Sequence, residues 1–380
     1  MFVPGRIEFL GKHTDYCGGE SIVCPIDRGF HFDFEAVDDQ IVTLENRDSG
    51  ETLAFNLTDT QKHSGWVNYA VEVGSRLRAN FGESLSRGAS ISFTSDLPQA
   101  AGLSSSSALM IMVFKALSEV NRLDQTEIYQ ANIHDELDLA EYLGCVENGR
   151  SFLGLAGSAG VGTFGGSQDH AAIIAGRAGL LTRFAFDPLQ RVSDFKLPDD
   201  YCFVIATSGV VAEKTGLVLE KYNRVSRMAA EITSRFSGGT LASIIGEHGL
   251  DEVERVIRTG TSEFSPDDLI NRVRQFYEES FEIIPKVAEL IEFGQLSEIG
   301  ALVDRSQRNA ESMLGNQVEE TVHLQRAARA LGAIAASAFG AGFGGSVYAL
   351  VKISESDAFL NEWRNGYRTR FPDRISEFFA

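Results

Sequence analysis

A glycine followed by a run of hydroxyls lies in Leu97-Pro98-Gln99-Ala100-Ala101-Gly102-Leu103-Ser104-Ser105-Ser106-Ser107-Ala108. If a helix begins within this run, its unpaired backbone N–H groups and the positive end of its dipole favour an anion, phosphate above all. Gly102 lets a backbone approach such a ligand, and the serines add donors or a hydroxyl for a metal. One helix cap needs a single hydroxyl, so several in a row read as a phosphate loop. Pro4 to Gly19 carries a second constellation, Arg6, Lys12, His13 and Asp15 on a polar loop bracketed by apolar strands. That bracketing keeps the charges close to the core. Gly5 to His13 is not a Walker A loop: the spacing is one residue too long, and no Ser or Thr follows Lys12. Gly160-Val161-Gly162-Thr163-Phe164-Gly165 satisfies GxGxxG. The small, flexible residues before it offer no strand to feed a dinucleotide fold.

The elements that must position these groups follow from periodicity. Ala89 to Ser95 alternates apolar and polar as a half-buried strand, and Leu109 to Leu117 reads as a buried helix. The hydroxyl run therefore sits at a strand-to-helix turn. Ile22 to Ile26 opens a series of strands reaching about Phe55, and a helix starts near Trp66-Val67-Asn68-Tyr69. A further helix is expected over roughly Gln125 to Leu143, with Asp135, Glu136, Asp138 and Glu141 on it. After strands from Gly179, Tyr201 to Ser208 reads as a buried strand. A polar helix follows with Glu213, Lys214, Glu220, Lys221, Tyr222, Asn223 and Arg224. Helices dominate from about Leu241 to Leu331, and a glycine-rich turn, Ala338 to Ser346, precedes the strand Val347–Val351.

The length of 380 residues admits two domains, and 43% apolar content suits a globular protein. A formal charge of −19 argues against nucleic acid and anionic membranes as partners. Cys17, Cys24, Cys145 and Cys202 form no CxxC pair and have no His beside them, which fits a reducing compartment better than disulfides or zinc. There is no signal peptide and no apolar run long enough to span a bilayer, so a cytoplasmic location is expected.

Pro98 to Ala108 resembles the Pro-x-x-x-Gly-Leu-Ser-Ser-Ser-Ala loop of the GHMP small-molecule kinases. Gly5-Arg6-Ile7-Glu8-Phe9-Leu10-Gly11-Lys12-His13-Thr14-Asp15-Tyr16 resembles the galactokinase signature within that family, departing at Glu8 (Asn there) and Lys12 (Glu there). Trp66 to Tyr69 is similar to its Trp-x-Asn-Tyr element, Gly166 to His170 to Gly-Ile-Met-Asp-Gln, Glu220 to Arg224 to Ser-Glu-Tyr-x-x-Arg, and Gly340 to Gly345 to the third family motif. All occur in family order. The resemblance implies an α+β, two-domain GHMP kinase fold with the active site in the interdomain cleft. Residues 1–180 would be the N-terminal domain and 181–380 the C-terminal one.

The implied reaction is transfer of the ATP γ-phosphoryl group to the anomeric C1 hydroxyl of a hexose, most simply galactose. By resemblance Asp169 is the base, and Arg6 its partner, favouring the ionised carboxylate and stabilising phosphoryl charge. His13, Asp15, Gly166 and Tyr222 match sugar-binding positions, and Lys12 occupies one more. ATP would lie on Gly102, Leu103, Ser104, Ser105, Ser106 and Ser107, with Trp66 and Tyr69 near adenine or, equally, anchoring their helix to the core. Mg²⁺ would take one hydroxyl, Ser105 or Ser106, and the carboxylate of Glu147. The family places that Glu closer to the base; here a Gly/Ala-rich insertion from about Phe152 to Thr163 intervenes. Gly340, Gly342, Gly344 and Gly345 would let a turn pack against the phosphate loop. A monomer is expected, with sugar and ATP as partners.

Lys12 has only donors, so it cannot accept a hydrogen bond from a sugar hydroxyl as Glu does. Either it holds a carboxylate of a uronic acid, or it pairs with a nearby acid, Asp15 or Glu8, and a neutral hexose binds without it. A catalytically silent sugar sensor and a kinase of another small alcohol are the remaining readings.

Overall fold

The strands are β1 (Phe2–Leu10), β2 (Glu20–Val37), β3 (Ile41–Asn46), β4 (Thr52–Asn56), β5 (Gly88–Ser95), β6 (Leu181–Ala185), β7 (Gln190–Phe195), β8 (Tyr201–Thr207), β9 (Ala335–Phe339), β10 (Ser346–Lys352) and β11 (Phe378–Phe379). The computed structural model describes every residue except Thr60, Lys62, Ser64, Gln99, Ala100 and 212–215, and it leaves out the side chains of 216–218. Gln99 and Ala100 of the hydroxyl loop, and Glu213 and Lys214 of the polar helix, thus lie outside the described residues. Two compact units emerge. The first comprises residues 1–6, 25–97 and 104–176, the second 7–24, 98–103 and 177–380. A single cut after residue 180 does not describe this partition, because 7–24 and 98–103 group with the C-terminal residues.

In the first unit β2 pairs antiparallel with β5, from Phe30 opposite Ser95 to Val37 opposite Gly88. β3 lies parallel to β5 and antiparallel to β4. Alternation in β5 buries Ala89, Ile91 and Phe93 on one face. The helix Ser105–Asn121 buries every residue from Ser107 to Phe114. Its composition is apolar all round because it is enclosed on all sides. The helix expected over 125–143 is divided into a short turn of helix, Glu127–Gln130, and the helix Glu136–Asn148. Asp135 causes the break: its carboxylate accepts the N–H groups of Leu137 and Asp138, capping a new helix where a continuous one would leave it no role.

In the second unit the first residues of β2 pair with β6, Glu20 opposite Ala185, and β6 pairs with β7. A separate antiparallel sheet runs β11-β8-β10-β9. Its buried face packs Val204, Ala206, Val347 and Ala349 against Leu324, Trp363 and Tyr367. A second core joins Cys17 to the helices through Val225, Ile232, Leu269, Val273 and Phe276. β9 escaped the sequence reading: Ala335-Ala336-Ser337-Ala338-Phe339 has small residues and no alternation, since all of it is buried. Among the described residues no helix is long and apolar enough to cross a membrane.

Candidate active site

The part of β1 that belongs to the first unit ends with Arg6, 3% exposed, facing the first turn of the helix Gln168–Ile174. Arg6 Nε and Nη2 both donate to Asp169 Oδ1, at 2.8 and 2.7 Å. Two charge-assisted bonds on one oxygen fix the carboxylate's orientation. The same unit carries the helix Ser105–Asn121, preceded by Ser104 in a left-handed conformation (φ 60°). Ser104 Oγ is buried and has no hydrogen-bond partner among the described residues, and it does not cap the helix. An unsatisfied buried hydroxyl at a helix N-terminus, on a strained residue, has the chemistry suited to an anion.

The serine that meets the candidate metal carboxylate is Ser107. Its Oγ donates to Glu147 Oε2 at 3.2 Å, and Thr163 Oγ1 donates to Glu147 Oε1 at 3.3 Å. Ser105 and Ser106 are half-buried elsewhere on the first turn and make no such contact. At 100° per residue only one serine of a run faces a given neighbour, and for Glu147 that serine is Ser107, not the Ser105 or Ser106 expected from the sequence. The insertion does not carry Glu147 away from the helix that holds Asp169. Gly149, at φ +85°, ends the helix, and Val161 N–H returns to the Glu147 carbonyl at 2.9 Å. The insertion is a closed excursion, pinned outside by Arg76 donating to Ser158 Oγ and the Arg150 carbonyl. Glu147 Oε2 thereby lies 3.8 Å from Nε2 of His170, the residue after Asp169. A carboxylate and two hydroxyls are the hard oxygen donors Mg²⁺ prefers, and phosphate oxygens complete such a set. Trp66 and Tyr69 are half-buried at the start of the helix Val67–Phe81, with the indole 6.5 Å from the Phe93 ring. Gly166 packs against Gly144, where a Cβ would come within 3.2 Å of the Gly166 carbonyl oxygen.

On the second unit the polar loop after β1 is buried through Thr14, with Asp15 half-buried. Lys12 is 1% exposed. Its ammonium donates to Ser337 Oγ at 2.8 Å and Ser306 Oγ at 3.3 Å. Lys12 faces inward, and the partners its ammonium takes here are two hydroxyls, not Asp15 or Glu8. A counter-charge lies one hydroxyl further, where Ser306 Oγ donates to Glu279 Oε1 at 3.0 Å. His13 takes a left-handed φ of 58°. Its Nε2 meets the Ala341 carbonyl at 3.3 Å and its Nδ1 the Tyr16 hydroxyl at 2.9 Å. A carbonyl only accepts, so this network assigns the proton to Nε2 and makes Tyr16 the donor to Nδ1. Burial raises the Tyr16 pKa well above its ordinary value, against the opposing pull of Arg272, so the hydroxyl keeps its proton. Tyr222 lies beside His13, ring centroids 5.5 Å apart.

The glycine-rich turn packs on the loop residues of the same unit. A Cβ on Gly340 would lie 3.0 Å from the Gly102 carbonyl oxygen, and one on Gly345 3.3 Å from that of Ala101; Ser346 Oγ donates to the latter carbonyl at 2.6 Å. Gly102 (φ +78°) is itself required by this contact, since its own Cβ would meet the Phe339 carbonyl oxygen at 3.2 Å. Gly342 and Gly344 serve the turn's far side, against Asn316 and Val210.

A helix terminus with an unsatisfied hydroxyl, a carboxylate held by arginine and a carboxylate bonded by two hydroxyls are groups that phosphoryl transfer can use. The model of the GHMP kinase N-terminal domain matches residues 68–177 and that of the C-terminal domain residues 283–369, together more than half the chain. The chain belongs to the GHMP kinase family, which implies ATP as co-substrate. Within it, a galactokinase galactose-binding signature matches residues 1–32. The chain is 28% identical over 381 residues to a galactokinase of Exiguobacterium sibiricum, covering 97% of this chain and 88% of that one. It is 27% identical to a galactokinase of Chloroflexus aggregans, covering 97% and 87%. Its fold matches Lactococcus lactis galactokinase complexed with galactose at a TM-score of 0.80 and 24% identity, covering 100% of this chain and 91% of that one. Methanococcus jannaschii mevalonate kinase matches at 0.59 and 15%, covering 100% and 96%.

Proposed function

We propose that this protein is an ATP-dependent sugar 1-kinase whose substrate is galactose. The observation that carries the chemistry is the partly buried Arg6–Asp169 pair, on the same unit as the unsatisfied Ser104 hydroxyl and the Ser107–Glu147 contact. The sugar is inferred from the galactose-binding signature and from the galactokinases among the relatives. The first turn of the helix Ser105–Asn121 binds the phosphates, and Trp66 and Tyr69 flank the adenine. His13, Asp15, Gly166 and Tyr222 hold the sugar. Asp169 accepts the proton of the C1 hydroxyl as its oxygen attacks the γ-phosphorus, and Arg6 keeps the carboxylate aimed and opposes charge on the phosphoryl group. Glu147 and Ser107 would hold Mg²⁺, which when bound neutralises phosphate oxygens. A neutral hexose is favoured over a uronic acid because the Lys12 ammonium is engaged within the core.

The test is ADP release over a panel of galactose, galacturonate, glucose, mevalonate and homoserine. Turnover on galactose giving the 1-phosphate by ³¹P NMR is expected. Preference for galacturonate, or ATP and sugar binding without turnover, would overturn the reading.

A further inference from the structure

The helix Pro266–Tyr277 runs without interruption into a π-helical segment, Glu278–Ile283. Arg272, Gln275 and Glu279, spaced three and four apart, share one face of it. Each reaches the backbone of a successive residue of the polar loop. Glu279 Oε1 accepts the Gly11 N–H at 2.9 Å, Gln275 Nε2 donates to the Lys12 carbonyl at 3.0 Å, and Arg272 Nη2 donates to the His13 carbonyl at 2.7 Å. All three side chains are buried. They also brace one another and the loop: Arg272 Nη1 donates to Gln275 Oε1 at 2.8 Å, and its Nη2 also reaches Cys17 Sγ at 3.0 Å.

The charges make this arrangement unusual. Arg272 has no carboxylate within ion-pair distance among the described residues. A guanidinium is costly to bury, and this one spends its donors on backbone and uncharged side chains. Glu279 in turn is linked to Lys12 through Ser306. The segment being held needs holding, since Gly11 (φ +114°) and His13 (φ 58°) both lie in left-handed backbone regions.

We propose that Arg272, Gln275 and Glu279 are positioning residues for sugar recognition, a clamp that fixes Gly11–His13 so that His13 and Asp15 present their side chains in binding geometry. The inference rests on the galactose reading above. It assigns to this helix face a share of sugar affinity that its position in sequence, far from the loop, does not suggest.

The test is steady-state kinetics of the full chain, with thermal unfolding and hydrogen exchange at the Gly11 amide. Gln275→Met removes the bond to the Lys12 carbonyl and the one accepted from Arg272, and leaves volume nearly unchanged. It is expected to raise the galactose KM roughly fivefold to tenfold, the ATP KM staying within about twofold. Glu279→Gln keeps an oxygen for the Gly11 N–H and should stay within about threefold of wild type, whereas Glu279→Leu should lose Gly11 protection and exceed a roughly tenfold rise. An unchanged galactose KM in folded Gln275→Met and Arg272→Lys would overturn the clamp, even if Glu279→Leu does not fold. So would an equal loss of both KM values and kcat, which marks a merely structural role. His13→Ala separates the two readings. If it raises the galactose KM and the clamp variants do not, the clamp alone fails. If it leaves the galactose KM unchanged, the sugar loop itself is misassigned and both fail.

Discussion

Replacing Asp169 by asparagine tests the chemistry at one atom. The carboxylate receives two guanidinium N–H groups on Oδ1, from an arginine that is 3% exposed, and its own side chain is 22% exposed. The asparagine amide would keep a carbonyl oxygen for Arg6 and lose the negative charge. Removing a partner from a fully buried pair costs about 3–5 kcal/mol; with an acceptor retained and some solvent present, about 1–3 kcal/mol is the expected cost. For domains of this size that lowers Tm by roughly 2–12 °C, leaving the protein folded at about 20 °C. The catalytic loss is of a different size. Losing a positioned proton acceptor lowers kcat about 10²- to 10⁴-fold, about 3–5.5 kcal/mol in the barrier. Galactose-dependent ADP release at saturating substrates reads the barrier, thermal unfolding reads the stability, and ATP titration checks that nucleotide still binds. A folded variant whose kcat stays within about fivefold of wild type would refute the role of Asp169, leaving positioning and charge alone to drive a loose transition state.

Ser107→Ala should raise the Mg²⁺ concentration for half-maximal turnover about tenfold, while Ser105→Ala and Ser106→Ala shift it less, because only Ser107 meets Glu147. Equal effects at all three positions would remove the distinction. Burial, reinforced by the Glu141 charge, pushes the Cys145 thiol up to about 11. The thiolate is the reactive form, so at pH 8 about a thousandth of Cys145 reacts, against about a quarter for an unperturbed thiol. Its alkylation, followed by peptide mass spectrometry, should rise about tenfold per pH unit from about pH 7 to 10; a rate at pH 8 equal to that of the unfolded chain would contradict the burial argument.

Much of the site is legible in the chain because its parts are local. Gly102 through Ser107 place a helix start after a strand, and no distant residue is needed to see a helix N-terminus suited to an anion there. Arg6 and Asp169 carry types suited to their pairing, although only the family order links them in sequence. The net charge and the cysteine pattern likewise narrow the classes of partner and compartment without any fold.

The tertiary structure decided everything that depends on direction. Which serine of the run meets Glu147 is a matter of helix phase and of where the insertion returns, and the insertion returns because Val161 bonds the end of the helix it left. Lys12 looks like a surface cation in a polar loop. Its ammonium turns inward because Ser306 and Ser337, 294 and 325 residues later in the chain, supply acceptors there, with Glu279 behind them. Arg272, Gln275 and Glu279 carry no motif, and their separations of 259 to 268 residues from the loop leave no local trace. A short-range pattern records what a backbone will do by itself. The aim of a buried polar side chain is set by whichever partner satisfies it, and that partner is chosen by the packing of the whole unit.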